Sequence, residues 1–123
     1  MADKSWKAYE RRIALRMGGK RRGAYTGANG QGKTDILVTG YAVECKLLAR
    51  PGFQDMLNAA QQAEANAESP LDVPLAIVKR KGDLDTNALV IMRLNTFMDH
   101  FGPALPTEDH PLTYAQQSEQ PTL

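Results

Sequence analysis

The sequence predicts an α/β domain, a mixed β-sheet flanked by helices in the order α-β-β-α-β-β-α. Three observations carry that expectation. Segments 3–17 and 53–68 place apolar residues at helical spacing. Between them, DILVTGYAVECKLL (35–48) is rich in Ile, Val, Leu and Tyr and is interrupted at Thr39-Gly40, the pattern of a β-hairpin with a two-residue turn. After the second helical segment comes the short apolar run LAIVK (75–79). A strand there would run parallel to the hairpin's second strand, with the helix as a right-handed crossover.

The elements follow in order. Asp3 to Met17 reads as a helix, capped by Ser5 or Asp3 and ended by Gly18-Gly19. Trp6, Ile13, Ala14 and Met17 share a face, and Glu10 falls inside that stripe. A carboxylate on an apolar stripe costs free energy unless it is paired or at the edge. Glu10 is therefore either a boundary residue bonded to a nearby arginine or a group aimed at a site. Gly18 to Lys33 reads as a basic, glycine-rich loop, with Lys20, Arg21, Arg22 and Lys33 placed for phosphate contact and Tyr25 for stacking on a base or sugar. Pro51-Gly52 breaks the second hairpin strand. Phe53 to Glu68 is an Ala/Gln-rich helix, with Phe53, Leu57, Ala60 and Ala67 as its expected buried face and Ser69-Pro70 as its stop. Lys79 to Gly82 forms a basic strand end and turn that includes Lys81. Ala88 to Arg93 is a further strand, and Leu94 to Phe101 a short helix with Asn95 or Thr96 near its cap. Residues 1–102 make one domain. Residues 103–123, with four prolines and little apolar content, form a flexible tail.

The apolar fraction of 42% supports one small core. The N-terminal stretch MADKSWKAYERR has no leader-like apolar run, and no segment is long enough to span a membrane. The single cysteine, Cys45, has no internal disulfide partner, so a reduced cytoplasmic setting is expected. No Cys/His cluster has zinc spacing, and His100 and His110 stand alone, so a metal site would use oxygen ligands. The net charge of +1 hides an asymmetry. Residues 1–50 hold eleven Lys/Arg against four acids, a balance of +7, and residues 51–123 balance at −6. A basic half suits a polyanion such as DNA or RNA.

GANGQGKT (27–34) matches the phosphate-binding loop G-x-x-x-x-G-K-[ST]. That loop works only with a strand entering and a helix leaving, so that amides and helix dipole face the phosphates. Here KRRGAYT precedes it and a β-rich run follows, so no nucleotide cofactor is expected.

The hairpin is more informative. With Thr39-Gly40 as its loop, Val38 faces Tyr41, Leu37 faces Ala42, Ile36 faces Val43 and Asp35 faces Glu44. Opposed like charges are destabilising. Lys46 lies on the same face as Glu44, while Tyr41, Val43, Cys45 and Leu47 lie on the other. Opposed carboxylates invite a divalent cation, and a lysine beside them invites a phosphate. The plain alternative is a solvated face carrying an accidental charge cluster.

The helix YERRIAL with Glu10, the basic loop, TDILV, VECK, QAEA, IVKRKG and LVIMRLNTF together resemble the PD-(D/E)xK nuclease superfamily over Trp6 to Phe101. The closest resemblance is to archaeal-type and phage Holliday-junction resolvases. It implies a restriction-endonuclease-like sheet flanked by helices, phosphodiester hydrolysis with Mg²⁺ (Mn²⁺ substituting), branched or duplex DNA as partner, a homodimer, and a bacterial or phage-infected cell. By position, Asp35 and Glu44 would hold the metal with the Cys45 carbonyl. Lys46 would orient water or stabilise charge, and Glu10 would act through water or a second metal. Gln62 would stand at the site's edge and Lys79 on phosphate. Thr34 stands where the family pattern has proline. Other nucleases of this scaffold, cutting flaps, nicked duplex or host DNA, and a DNA-binding protein without catalysis remain alternatives.

Overall fold

The computed structural model describes residues 5–22 and 34–103. Helix α1 (Ser5–Arg16) leads into strand β1 (Lys20–Arg21), then β2 (Ile36–Val38) and β3 (Tyr41–Leu48). Helix α2 (Phe53–Asn66), strand β4 (Val73–Arg80), a 3₁₀ turn at Asp85–Asn87, strand β5 (Leu89–Ile91) and helix α3 (Leu94–Phe101) follow. The five strands lie in the order β1-β2-β3-β4-β5. Only the β3–β4 pair is parallel, so the sheet is mixed and the fold is α/β.

The hairpin forms in the register read from the sequence: Ile36 opposite Val43, Leu37 opposite Ala42, Val38 opposite Tyr41. Gly40 takes φ +85°, a conformation open to glycine at no steric cost. Helix α1 ends as expected. Gly18, at φ +74°, donates its N–H to Leu15 O, and Gly19 N–H reaches back to Ala14 O, the paired bonds of a Schellman cap. Gly19 also lies so close to the Leu37 backbone that a Cβ would sit 2.1 Å from its carbonyl oxygen.

The two helices cover opposite faces. Tyr9, Ile13 and Ala14 of α1 pack on Ile36, Val43, Cys45, Leu75 and Ile77. Ala59 of α2 packs on Ala76 and Val78. Strand alternation decides the split: odd positions of β3 and β4 meet α1, even positions meet α2. Alanines at 59, 60 and 63 let α2 approach the sheet closely.

Several expectations need correction. Lys20 and Arg21 are not loop but strand, pairing with Leu37 and Ile36. Tyr9, not Trp6, is the buried aromatic of α1; Trp6 is 45% exposed. Trp6 and Tyr9, three residues apart, lie about 60° apart round the helix, so a small rotation exchanges them, and here the Tyr9 hydroxyl finds an acceptor in Ile77 O at 3.0 Å. On α2 the buried face is Ala59, Ala60 and Ala63, while Phe53 is 81% exposed. Thr96 does not cap α3. It is buried, and its hydroxyl donates to Glu64 at 2.6 Å. The tail, 104–123, lies outside the described residues. No helix among the described residues is long and apolar enough to cross a membrane.

Candidate active site

The site forms where β2 parts from β3. Their last paired rung is Ile36–Val43. One residue earlier, the Asp35 side chain turns inward and its Oδ2 accepts the Cys45 N–H at 2.7 Å, replacing a ladder bond. The Cys45 carbonyl leaves the same edge of the strand as its N–H, beside the Asp35 carboxylate. Glu44 and Lys46 project from β3 toward α2. Glu10 comes from α1, so three elements supply the cluster.

Glu44 is fully buried. Its Oε1 accepts from Asn66 Nδ2 at 2.8 Å, but its Oε2 is buried with no hydrogen-bond partner. The neighbour of this carboxylate is Asp35, which when ionised has nothing to donate. Burial, with the Asp35 charge second among the raising causes, pushes the Glu44 carboxyl up to about 7; the Asn66 bond opposes the shift. Glu10 is also buried and its carboxyl is raised, first by burial and then by Asp35. Arg21 and Lys46 pull the other way. The Arg21 guanidinium lies 3.4 Å from Glu10 Oε2 and over the Trp6 ring. Burial drives the Cys45 thiol upward as well, helped by Asp35, Glu10 and Glu44, so it is an inert core thiol. Glu10, Asp35, Glu44, Cys45 and Lys46 thus act on one another within a single cluster.

The remaining expected residues are distributed differently. Gln62 is exposed and makes no hydrogen bond to the cluster among the described residues; Asn66, one turn further along α2, reaches Glu44 instead. That spacing was visible in the sequence, since i and i+4 share a helix face. Arg21 turns inward to Glu10. Arg22 donates from Nε to Thr34 O and from Nη2 to Thr34 Oγ1, and lies 3.8 Å from Glu68. Lys79 is buried: its ammonium donates to Asp85 at 2.7 Å and to Asp83 O at 2.9 Å and lies over the Tyr9 ring. Its odd position on β4 faces α1, which takes it away from any surface phosphate. Asp85 also accepts two bonds from Arg12, and Arg12 with Lys79 holds its carboxyl down at about 2. Lys20 and Lys81 are exposed. Tyr25 and Lys33 lie outside the described residues. The chain leaves Thr34 into strand β2 rather than a helix, so the helix that a phosphate-binding loop requires does not follow.

Among the described residues no three Asp, Glu, His or Cys side chains close around one point. Asp35, Glu44 and the Cys45 carbonyl are oxygen donors of the kind Mg²⁺ takes, a cation that keeps several waters. The orphaned Glu44 Oε2 fits that use: a cation or a proton is what it lacks. No family model, curated protein or solved structure matches the chain.

Proposed function

We propose that this chain is a metal-dependent, structure-selective DNA endonuclease, most closely a Holliday-junction resolvase. The observation that carries the reading is Glu44, a carboxylate with a partnerless oxygen held fully inside the protein against a second carboxylate. Folding is penalised by such a pair, so a role outside folding accounts for it best.

Asp35, Glu44 and the Cys45 carbonyl would hold the ion. A bound Mg²⁺ supplies Lewis-acid charge and a water acidified for attack on phosphorus. The side chains do the rest. Asn66 fixes the Glu44 carboxylate through Oε1 and leaves Oε2 for the ion. The Cys45 amide fixes Asp35 in the same way. Lys46 sits on the carboxylate face of β3 as a compact cation. There it orients the water or offsets charge that builds on the phosphoryl oxygens. Glu10, tethered by Arg21, stands at the α1 side, where it would act through a water or a second metal. Exposed Lys20 and Lys81 and the basic balance of residues 1–50 supply attraction for the DNA backbone. The active species is a homodimer, since a four-way junction has two equivalent strands to cut and each chain carries one site.

The test is incubation with Mg²⁺ and labelled four-way junction, flap and linear duplex, with Asp35→Asn and Glu44→Gln as controls. Paired symmetric nicks in the junction, lost in both variants while DNA binding survives, are expected. Cutting of flap or nicked duplex in preference would assign another nuclease of this scaffold. Metal-independent binding without any cutting would overturn the enzymatic reading.

A further inference from the structure

Helix α3 is turned inside out. Leu94, Phe97, Met98 and Phe101 fall at i, i+3, i+4 and i+7, the stripe that an amphipathic helix normally buries. Here all four are exposed, Leu94 by 73%. The side facing the body is polar. Thr96 donates to Glu64, and Arg93, at the helix entry, forks onto the same carboxylate at 2.7 and 2.9 Å. Charge-assisted bonds therefore hold α3 in this orientation, with its apolar stripe outward.

The stripe continues onto neighbouring elements. Leu89 of β5 is exposed on the α2 side, where Phe53 stands out from the start of α2, and Val90, opposite Ile77, is 66% exposed on the other side of the same edge. A groove of about 640 Å³ runs between α2 and β5, lined by Met56, Leu57 and Ala60 and bordered by Phe53, Val90 and Leu94. Strand β5 ends the sheet, and its outer edge pairs with no strand among the described residues. Edges are usually defended by charge, proline or a cover; Leu89-Val90-Ile91 carries neither charge nor proline.

We propose that this face is the interface with a second copy of the chain, the two β5 edges meeting antiparallel across a two-fold axis with the α3 stripes flanking them. The proposal deepens the two-copy reading above and rests on it. Area is the first argument for this occupant. At their observed exposures the six side chains other than Val90 present roughly 700 Å², taking large apolar side chains at about 150–250 Å² each. That exceeds the largest apolar patch of an ordinary monomer, roughly 300–600 Å², and approaches the ~800 Å² per partner of a standard stable interface. Self-complementarity is the second: an antiparallel strand edge pairs with its own copy, which a two-fold axis requires. Residues 104–123 make a poorer cover, since three leucines and one tyrosine are their only large apolar residues. Position is the third. The carboxylates lie where β2 leaves β3, two strands away from β5, so pairing at β5 leaves both sites open. At about 4.8 Å per strand, the two sites would lie on the order of 30 Å apart.

Sedimentation at micromolar concentration, without DNA or metal, tests this on the full chain. The wild type should be a dimer. The double variant Val90→Lys, Phe97→Glu should raise the dimer Kd by about 100-fold or more, with an unchanged helical signal, because both positions are exposed in the single chain. Val90→Cys should give a disulfide-linked dimer on oxidation, since Cys45 is buried and the new thiol is the accessible one. A monomeric wild type, a double variant that stays dimeric, or Val90→Cys that stays unlinked in a dimer would each overturn the proposal. The nuclease chemistry is judged separately: a monomer that cuts DNA loses this interface and the two-copy reading but keeps the enzyme, and an inactive dimer with the expected cross-link loses only the enzyme.

Discussion

Replacing Glu44 by glutamine is expected to stabilise the metal-free protein at pH 8 and to change it little at pH 4.5. The magnitude follows from the site. Glu44 is fully buried, and burial, with Asp35 adding to it, raises its carboxyl from the ordinary 4.5 to about 7. The folded state thus holds this proton more tightly than the unfolded state. Stability is fully present below about pH 4.5 and falls as pH rises to about 7, by ~1.4 kcal/mol per pH unit, a loss on the order of 3 kcal/mol. Glutamine imitates the protonated acid. Its carbonyl can still accept from Asn66, and its amide donates toward Asp35. For a domain of this size 1 kcal/mol moves Tm by roughly 4–8 °C, so Glu44→Gln should gain roughly 12–24 °C over wild type at pH 8. Thermal melts in chelator from pH 4.5 to 8 read the difference directly. Mg²⁺ at pH 8 should raise the Tm of the wild type and not that of the variant, because binding to the folded state alone stabilises it. A variant less stable than wild type at pH 8, or a Tm difference that ignores pH, would refute the reasoning, since the carboxylate would then be a structural partner.

Other substitutions separate the roles further. Lys46→Ala should slow single-turnover cleavage by about 100-fold or more while junction affinity, read by fluorescence anisotropy, changes only a few-fold. Asn66→Ala removes the donor on Glu44 Oε1, and the Mg²⁺ concentration for half-maximal cutting should rise by about 10-fold. Asp85→Asn strips the counter-ion from buried Lys79, so urea unfolding should show a loss of about 3 kcal/mol. The same pair predicts acid sensitivity: with its carboxyl held down at about 2, the contribution of Asp85 is complete above pH ~4 and is lost as pH falls toward 2. Lys33→Ala should lower the salt slope of DNA binding by about one contact without any effect of ATP on binding; tight ATP binding lost in this variant would restore the phosphate-loop reading.

The hairpin shows what sequence alone determined. Side-chain direction in a strand has period two, and a two-residue turn leaves one register. Thr39-Gly40 therefore set Ile36 against Val43 and put Glu44 and Lys46 on one face of β3 without any knowledge of the rest of the chain, but the expected Asp35–Glu44 rung does not form, and Asp35 instead accepts the Cys45 N–H. The parallel β3–β4 pairing followed as directly, because a helix between two apolar strands returns the chain in the same direction. Helix rotation was decided only in three dimensions. A spacing of 100° per residue leaves stripes that differ by one or two side chains nearly equal in apolar content. Tyr9 could displace Trp6 because Ile77 O was there to accept its hydroxyl. Asn66 rather than Gln62 met Glu44 because the alanines of α2 set how the helix lies on the sheet. The basic residues were sorted in the same way. Arg21 and Lys79 look like their exposed neighbours in one dimension, yet each found a carboxylate, Glu10 or Asp85, brought near from a distant part of the chain. Helix α3 departs furthest from its pattern. Its stripe specified a buried face, but the Glu64 carboxylate outbid it, since two forked guanidinium bonds and a hydroxyl bond act at short range while the apolar face can still be covered by another molecule.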